Sequence, residues 1–461
     1  MMDYGSWLAM AVVVFAGVYL VFGLDDLVID FFVLSRGLRP KELSPKDKDQ
    51  LSNKKEKKIA ILVPAWKESN IISQMLRGNI AKIEYENYHF YVGCYPNDLP
   101  TFRAVSEVAR ETGKVTPILN PIPGPTSKGQ LLNSVLQELL ENHYPCFDIY
   151  LFHDAEDIIH PLSLRLINQE SERADFIQIP VFSLPVKESM SVGATYMDEF
   201  AEVHTRDLLV RKYLDVSIPS AGVGFALTRK AVLTLFNSQE SQLFDSHCLT
   251  EDYALGLRSY QAGLKQSFPC VYEKGKENKK EWIATYEYFP KKFIRSVRQK
   301  ARWTEGIALQ SAKKFGWFGS VLNCLFLFRD RKALTANCLG LVGLCFFPLG
   351  LWATLNSPGN PEATSLLSTF TPLFILNSLM LMNRMWHRAK ALRTVYKDSR
   401  GFFVIFRYPL SVTVNGLAGF LAMKNYGWSV LLREPTAWVK TEHELPAGFG
   451  EVAAQGLRGA L

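Results

Sequence analysis

The sequence predicts an α/β protein built on a doubly wound, mostly parallel sheet, with transmembrane helices near both ends of the chain. Three observations predict it. β-rich runs alternate with helically spaced runs across residues 59–310. Long apolar runs lie outside that stretch, at 7–24, 333–352 and 366–382. Within it, the strand-like "DIYLFHDAED" (148–157) runs into a knot of carboxylates, at the strand end where such a sheet places its ligand.

Residues 1–35 hold the first span. "WLAMAVVVFAGVYLVFGL" (7–24) is roughly long enough to cross a bilayer. A cleavable signal peptide is the rival reading, but no basic segment precedes the apolar run. Positive charge follows it instead, at Arg36, Arg39, Lys41, Lys46, Lys48 and "KKEKK" (54–58), which places the basic linker 36–57 in the cytoplasm.

The predicted cytoplasmic domain covers 58–315. "KIAILVPAW" (58–66) reads as a buried parallel strand, and "SNIISQMLRGNIAKI" (69–83) has helical spacing. "HFYVGCYP" (89–96) is the next strand and "TFRAVSEVARET" (101–112) the next helix. "KGQLLNSVLQELLEN" (128–142) is a third helix, followed by the strand that ends in carboxylates. Neither a G-x-G-x-x-G nor a G-x-x-x-x-G-K-[ST] run is present, which disfavours a dinucleotide fold or a P-loop.

After this domain, 316–332 reads as an interfacial helix and 333–383 as a transmembrane hairpin turning at "ATLNSPGNPEATS" (353–365). Arg384, Arg388, Lys390, Arg393, Lys397 and Arg400 keep the far end cytoplasmic. Segment 384–423 is basic and interfacial, with a fourth crossing at 401–423 as the alternative. Residues 424–461 form a cytoplasmic tail.

Composition narrows the function. The formal net charge is +7 over 461 residues, with no basic stripe interleaved with aromatics, so a nucleic-acid partner is not expected. The seven cysteines include no C-x-x-C pair, which argues against a zinc ribbon and a thioredoxin-like motif. Carboxylates as dense as those of 154–157 resist burial unless a cation compensates them. The bland alternative is a solvated loop in which Asp157 caps a helix. Two further segments add to the pattern. "LTEDYALGLR" (249–258) opens a helix with Glu251 and Asp252, which an N-cap at Thr250 would also explain. In "RQKARWTEG" (298–306), Gln299, Arg302 and Trp303 share one helix face, and a basic helix on a membrane surface would look similar.

With "VPAWKE" (63–68), "HDAED" (153–157), "SAGVGFALTR" (220–229), "TED" (250–252) and Q-x-x-R-W (299–303) in this order, the chain resembles the family-2 glycosyltransferases of the GT-A fold. A narrower resemblance, to bacterial inner-membrane members of that family, rests on "FGLDDLVID", "PGPTSK", "YMDEFAEVH", "EYFP" and "WVKTEHELP". Such members can continue into a cyclic-di-GMP-binding domain; this chain stops at Leu461, so that input is expected to be absent or supplied elsewhere.

The resemblance implies roles. Asp154 and Glu156 form the metal and nucleotide motif for Mg²⁺ or Mn²⁺, with the choice between Glu156 and Asp157 left open. Pro64, Glu68, Asp98, Lys128, Asp154, Gln299 and Arg302 bind the nucleotide sugar. Asp252 is the catalytic base, with Glu251 beside it. Gly222, Gly224 and Trp303 bind the acceptor. Trp438, Lys440, Thr441 and His443 lie on a gating loop over the nucleotide, a reading that unchanged donor affinity and turnover in Lys440→Ala would refute. The helix "YMDEFAEVH" (196–204) reads as solvated or acceptor-facing, in preference to a metal site with His204.

The expected function is a membrane-bound inverting transfer from a nucleotide-diphosphate sugar to a growing polysaccharide. Expected partners are that donor, a growing glycan or lipid-linked acceptor, the lipid bilayer, an outer-membrane export partner and a second copy of the chain. The expected location is the inner membrane, multi-pass. Two alternatives stand: a single-sugar transferase to a polyprenyl-phosphate lipid, and a non-catalytic receptor or assembly factor on the same scaffold.

Overall fold

A computed structural model describes residues 4–142, 147–236, 242–275, 280–356, 365, 368–396 and 399–433. The chain begins with one long helix, α1 (Tyr4–Ser35), whose first charged residues are Asp25, Asp26 and Asp30. Strand β1 (Ile59–Pro64) follows, with Ile59 to Val63 fully buried, as a strand covered on both faces requires. Helix α2 (Ile72–Ile80) leads to β2 (Tyr88–Cys94), α3 (Leu99–Thr112) to β3 (Val115–Leu119), and α4 (Lys128–Glu141) to β4 (Ile149–Phe152). Ser127 caps α4 by accepting from Gln130 N, and left-handed Gly113 closes α3.

Next come β5 (Ile158–Ile159), β6 (Phe176–Gln178), β7 (Val181–Ser183), α5 (Val192–Glu202) and β8 (Phe225–Thr228). After them lie α6 (Glu251–Gln261), β9 (Gln266–Ser267), β10 (Thr285–Glu287) and α7 (Phe293–Thr304). The main sheet has the order β3-β2-β1-β4-β8-β6-β9, parallel except for β8, which runs antiparallel to both of its neighbours. The order reverses at β1, between β2 and β4, so the loops after β1 and β4 open into one crevice. Because β8 is reversed, the turn that leads into it, Ser220–Gly224, lies at the same end. A second sheet, β5-β10-β7, carries Glu287 toward that crevice. Phe152 and Phe225 stack 4.6 Å apart beneath it.

Three long helices follow the sheet domain: α8 (Val321–Asn356), α9 (Thr371–Tyr396) and α10 (Val404–Leu432). Two helical segments, Ala9–Ser35 and Gly401–Leu432, are long and apolar enough to cross a membrane. The expected break between 332 and 333 is absent, because 321–356 is one helix. Most of its charge run is neutralised where it lies: Arg329 pairs with Asp26 and Asp207 at 2.7 Å each, Lys332 pairs with Asp25, and Arg211 pairs with Asp330. Pro409 lies inside α10, beyond its first turn, and so removes a backbone hydrogen bond of that helix.

The acidic segment of α5 is not solvated. Asp198 is buried and receives two hydrogen bonds from Arg407, at 2.6 and 2.9 Å. Glu199 pairs with Lys300 at 2.5 Å and Glu202 with Arg388 at 2.7 Å. Basic residues read as a membrane flank therefore neutralise carboxylates far away in sequence. His204 is buried among Phe182, Phe200 and Phe268, so it offers no metal site with these acids.

Candidate active site

The crevice is a cleft of about 150 Å³, and Pro64, Glu68, Lys128, Asp154, Glu156, Gly222, Glu251, Asp252, Gln299, Arg302 and Trp303 all line it. These residues come from six regions of the sequence, around positions 64–68, 128, 154–156, 222, 251–252 and 299–303. One wall is acidic: Asp154, Glu156 and Glu287 each present a carboxylate oxygen, and the three oxygens lie within 4.8 Å of one another. Burial, then the charges of Asp157, Asp154 and Glu156, hold the Glu287 carboxyl well above the usual range. Such crowding calls for a compensating cation, and three hard oxygen donors fit a divalent metal of the Mg²⁺ or Mn²⁺ kind.

Asp157 faces elsewhere. Its Oδ2 accepts from Asp154 N at 2.9 Å and lies 2.8 Å from His153 Nδ1. That arrangement shapes the turn and points Asp154 into the cleft, so Glu156 is the neighbour of Asp154 in the acidic wall. Burial lowers the His153 imidazole to about 3, which leaves it neutral.

Lys128, at the start of α4, stands between the two acidic groups. Its Nζ lies 2.6 Å from Asp154 and donates to Gly222 O at 3.1 Å. Burial pulls the ammonium down, but Asp154, Glu251 and Asp252 outweigh it and hold the group above the usual lysine range. Glu251 and Asp252 open α6. Burial and the neighbouring Asp252 push Glu251 up to about 7. Burial also raises Asp252, against the pull of Lys128 and Arg302. Thr250 precedes them without a side-chain capping bond, so capping does not account for this acidic pair.

Gly222 has φ +85°, and a Cβ there would fall 2.3 Å from Asp252 Oδ2. The glycine keeps open the space beside that carboxylate. Gly224 differs: with φ +61°, a Cβ would meet Thr285 Oγ1 at 2.2 Å. It does not line the cleft, and its role is the close packing of β8 on β10. Asp98 also stands apart. It is buried and accepts from Lys67 N at 2.6 Å and, more weakly, from Thr101 N at 3.5 Å, so it pins the β1 loop to α3.

On the α7 side, Gln299 Oε1 accepts from Tyr196 at 2.9 Å, and Trp303 packs edge-on to Tyr196, Phe200 and Phe289. Arg302 Nη1 reaches Leu249 O at 3.4 Å. Trp66, Tyr95 and Glu287 also line the cleft and were not assigned from sequence. Glu287 opens the "EYFP" block, which was the available signal. Trp438, Lys440, Thr441 and His443 lie outside the described residues.

An α/β sheet of this order, with an acidic wall and a second carboxylate pair across a lysine, defines a glycosyltransferase of the GT-A type. A family model described as "Glycosyltransferase like family 2" matches residues 57–306, and the chain belongs to that family. Bacteriophage adsorption protein B of Escherichia coli (strain K12) is 34% identical over 477 residues, which cover 97% of this chain and 64% of the relative. Bacteriophage N4 adsorption protein B of Escherichia coli O157:H7 matches to the same extent. The chain thus spans about two thirds of these relatives' length. Among solved structures, S. aureus TarS 1-349 is similar at 13% identity and a TM-score of 0.38, covering 80% of this chain and 92% of that one. Glucosyl-3-phosphoglycerate synthase from Mycobacterium tuberculosis, with Mn2+, uridine-diphosphate and glucosyl-3-phosphoglycerate, is similar at 16% and 0.36, covering 57% and 82%.

Proposed function

We propose that the chain transfers a sugar from a nucleotide-diphosphate donor to a growing polysaccharide, with inversion, at the cytoplasmic face of the inner membrane. The observation that carries this reading is the placement of the Asp154–Glu156–Glu287 wall and the Glu251–Asp252 pair in one cleft, with Lys128 between them. Asp154, Glu156 and Glu287 would hold Mg²⁺ or Mn²⁺, which when bound supplies positive charge for the diphosphate leaving group. Lys128 and Arg302 add protein cations, and the guanidinium suits two phosphate oxygens. Trp66 and Tyr95 offer aromatic faces to the base, and Trp303 offers one to the acceptor sugar.

Asp252 takes the proton of the acceptor hydroxyl. The acceptor oxygen then bonds to the anomeric carbon as the bond from that carbon to the diphosphate oxygen breaks, and the nucleoside diphosphate leaves. Burial raises the proton affinity of Asp252, which suits a base, while Lys128 and Arg302 favour its ionised form. The helices Ala9–Ser35 and Gly401–Leu432 support the membrane setting. An outer-membrane partner or a second copy of the chain would complete an export route.

The test is metal-dependent release of nucleoside diphosphate across a panel of sugar nucleotides. Asp252→Asn is expected to lower turnover by about 10²–10⁴-fold, the share of a general base. Equal, near-background rates in parent and variant would favour the non-catalytic scaffold. One added sugar per acceptor would favour the single-sugar transferase.

A further inference from the structure

We infer that a cavity between the apolar helices binds the phosphate of a lipid-borne acceptor, with Arg384 as its anchor. The inference rests on the glycosyltransferase reading above and names the acceptor class for the same cleft. The cavity measures about 480 Å³, within the range of small-molecule sites. It shares Phe200 and Ala221 with the cleft, then runs out between α1, α8, α9 and α10, past Phe22, Gly340, Met380 and Val412.

Cations line it, and most are already matched. Arg329 pairs with Asp25, Asp26 and Asp207, Lys332 with Asp25, Arg211 with Asp330 and Arg388 with Glu202. Arg384 is the exception among the described residues lining the cavity. Its ion pair with Asp26 is long, 3.8 Å, and Asp26 is already held by Arg329 at 2.7 Å. Its Nε is buried without a hydrogen-bond partner, yet the side chain as a whole is 42% exposed. The Tyr19 and Tyr408 hydroxyls, 3.5 Å apart, line the same cavity.

An under-matched guanidinium among apolar helices calls for a partner. Its fork fits two phosphate oxygens, and the two phenols add donors. The apolar walls suit a hydrocarbon chain. A lipid phosphate meets both requirements, and the shared wall at Phe200 and Ala221 lets a sugar attached to it reach Asp252.

The test uses the full chain in a neutral detergent, with farnesyl monophosphate as probe and binding measured by calorimetry. Farnesyl monophosphate is expected to bind the parent, and Arg384→Gln to weaken binding about ten- to a hundredfold, the range for hydrogen bonds to a charged group. Arg384→Lys should recover part of that loss, and Tyr408→Phe should weaken binding severalfold with the parent's melting temperature retained. Equal affinity in parent and Arg384→Gln, or equal affinity for farnesol, overturns the inference. Inorganic phosphate or phosphatidylglycerol binding as tightly would also overturn it, as a free-anion or bulk-lipid site. A parent that releases nucleoside diphosphate but ignores farnesyl monophosphate sinks this inference alone. A parent that binds the probe but turns over no sugar nucleotide sinks the wider reading.

Discussion

Two glycines in one short turn should fail in different ways when each is given a methyl group. In Gly222→Ala the new Cβ would lie 2.3 Å from Asp252 Oδ2, whereas an ordinary carbon–oxygen contact is about 3.3 Å. The carboxylate must therefore retreat by roughly 1 Å, a displacement that costs about 10²-fold in rate when it misplaces a catalytic group. The φ of +85° adds backbone strain of about 1–2 kcal/mol. In Gly224→Ala the clash is instead with Thr285 Oγ1 at 2.2 Å, away from the cleft, so the loss should appear as stability, about 1–3 kcal/mol. Combining Gly224→Ala with Thr285→Ala removes the clashing oxygen and should restore part of that stability. The assay pairs nucleoside diphosphate release with thermal unfolding of each variant. Turnover of Gly222→Ala within threefold of the parent would refute the claim that this glycine clears space for Asp252. Indistinguishable kinetic and thermal profiles for the two variants would refute the division of roles.

Glu287→Gln should raise the metal concentration for half-maximal nucleoside diphosphate release about tenfold or more, because it removes one anionic donor of three; an unchanged metal requirement would remove Glu287 from the acidic wall. His204 supplies a pH signature. Burial lowers its imidazole to about 4, while the unfolded chain titrates near 6.5, so the unfolded state binds more protons between those values. Its contribution, about 3 kcal/mol, is full above pH 6.5 and is lost as pH falls toward 4. Melting temperatures from pH 4 to 7 should therefore fall less steeply in His204→Asn than in the parent, and identical slopes would show that the imidazole is not neutral in the fold.

The sheet was legible where burial leaves a local mark. The run Ile59–Val63 is apolar at every position because helices cover both of its faces. Strand β3 was not read, because Pro117 interrupts it; the structure places it at the sheet edge, where a missing N–H is tolerated. The carboxylates at Asp154, Glu156, Glu251 and Asp252 were legible because each closes or opens a regular element. Glu287 was not, since it sits on a three-residue strand whose register is set only by its neighbours β5 and β7. The acids of α5 were misread for a related reason. Their cations come from residues 300, 388 and 407, and no local pattern announces a pairing over such distances.

The charged layer that joins α1 to α8 also sets a constraint on biogenesis. Asp25 and Arg329 are 304 residues apart, so ribosomes complete the acidic half of that layer long before the basic half exists. At ordinary synthesis rates the interval is roughly 15–60 s. Over that time Asp25 and Asp26 lack the Arg329 guanidinium, whereas Asp30 can already meet Arg206. The layer between α1 and α8 is therefore completed only after residues 329–332 have been made, so α8 supplies the cations that Asp25 and Asp26 lack until then.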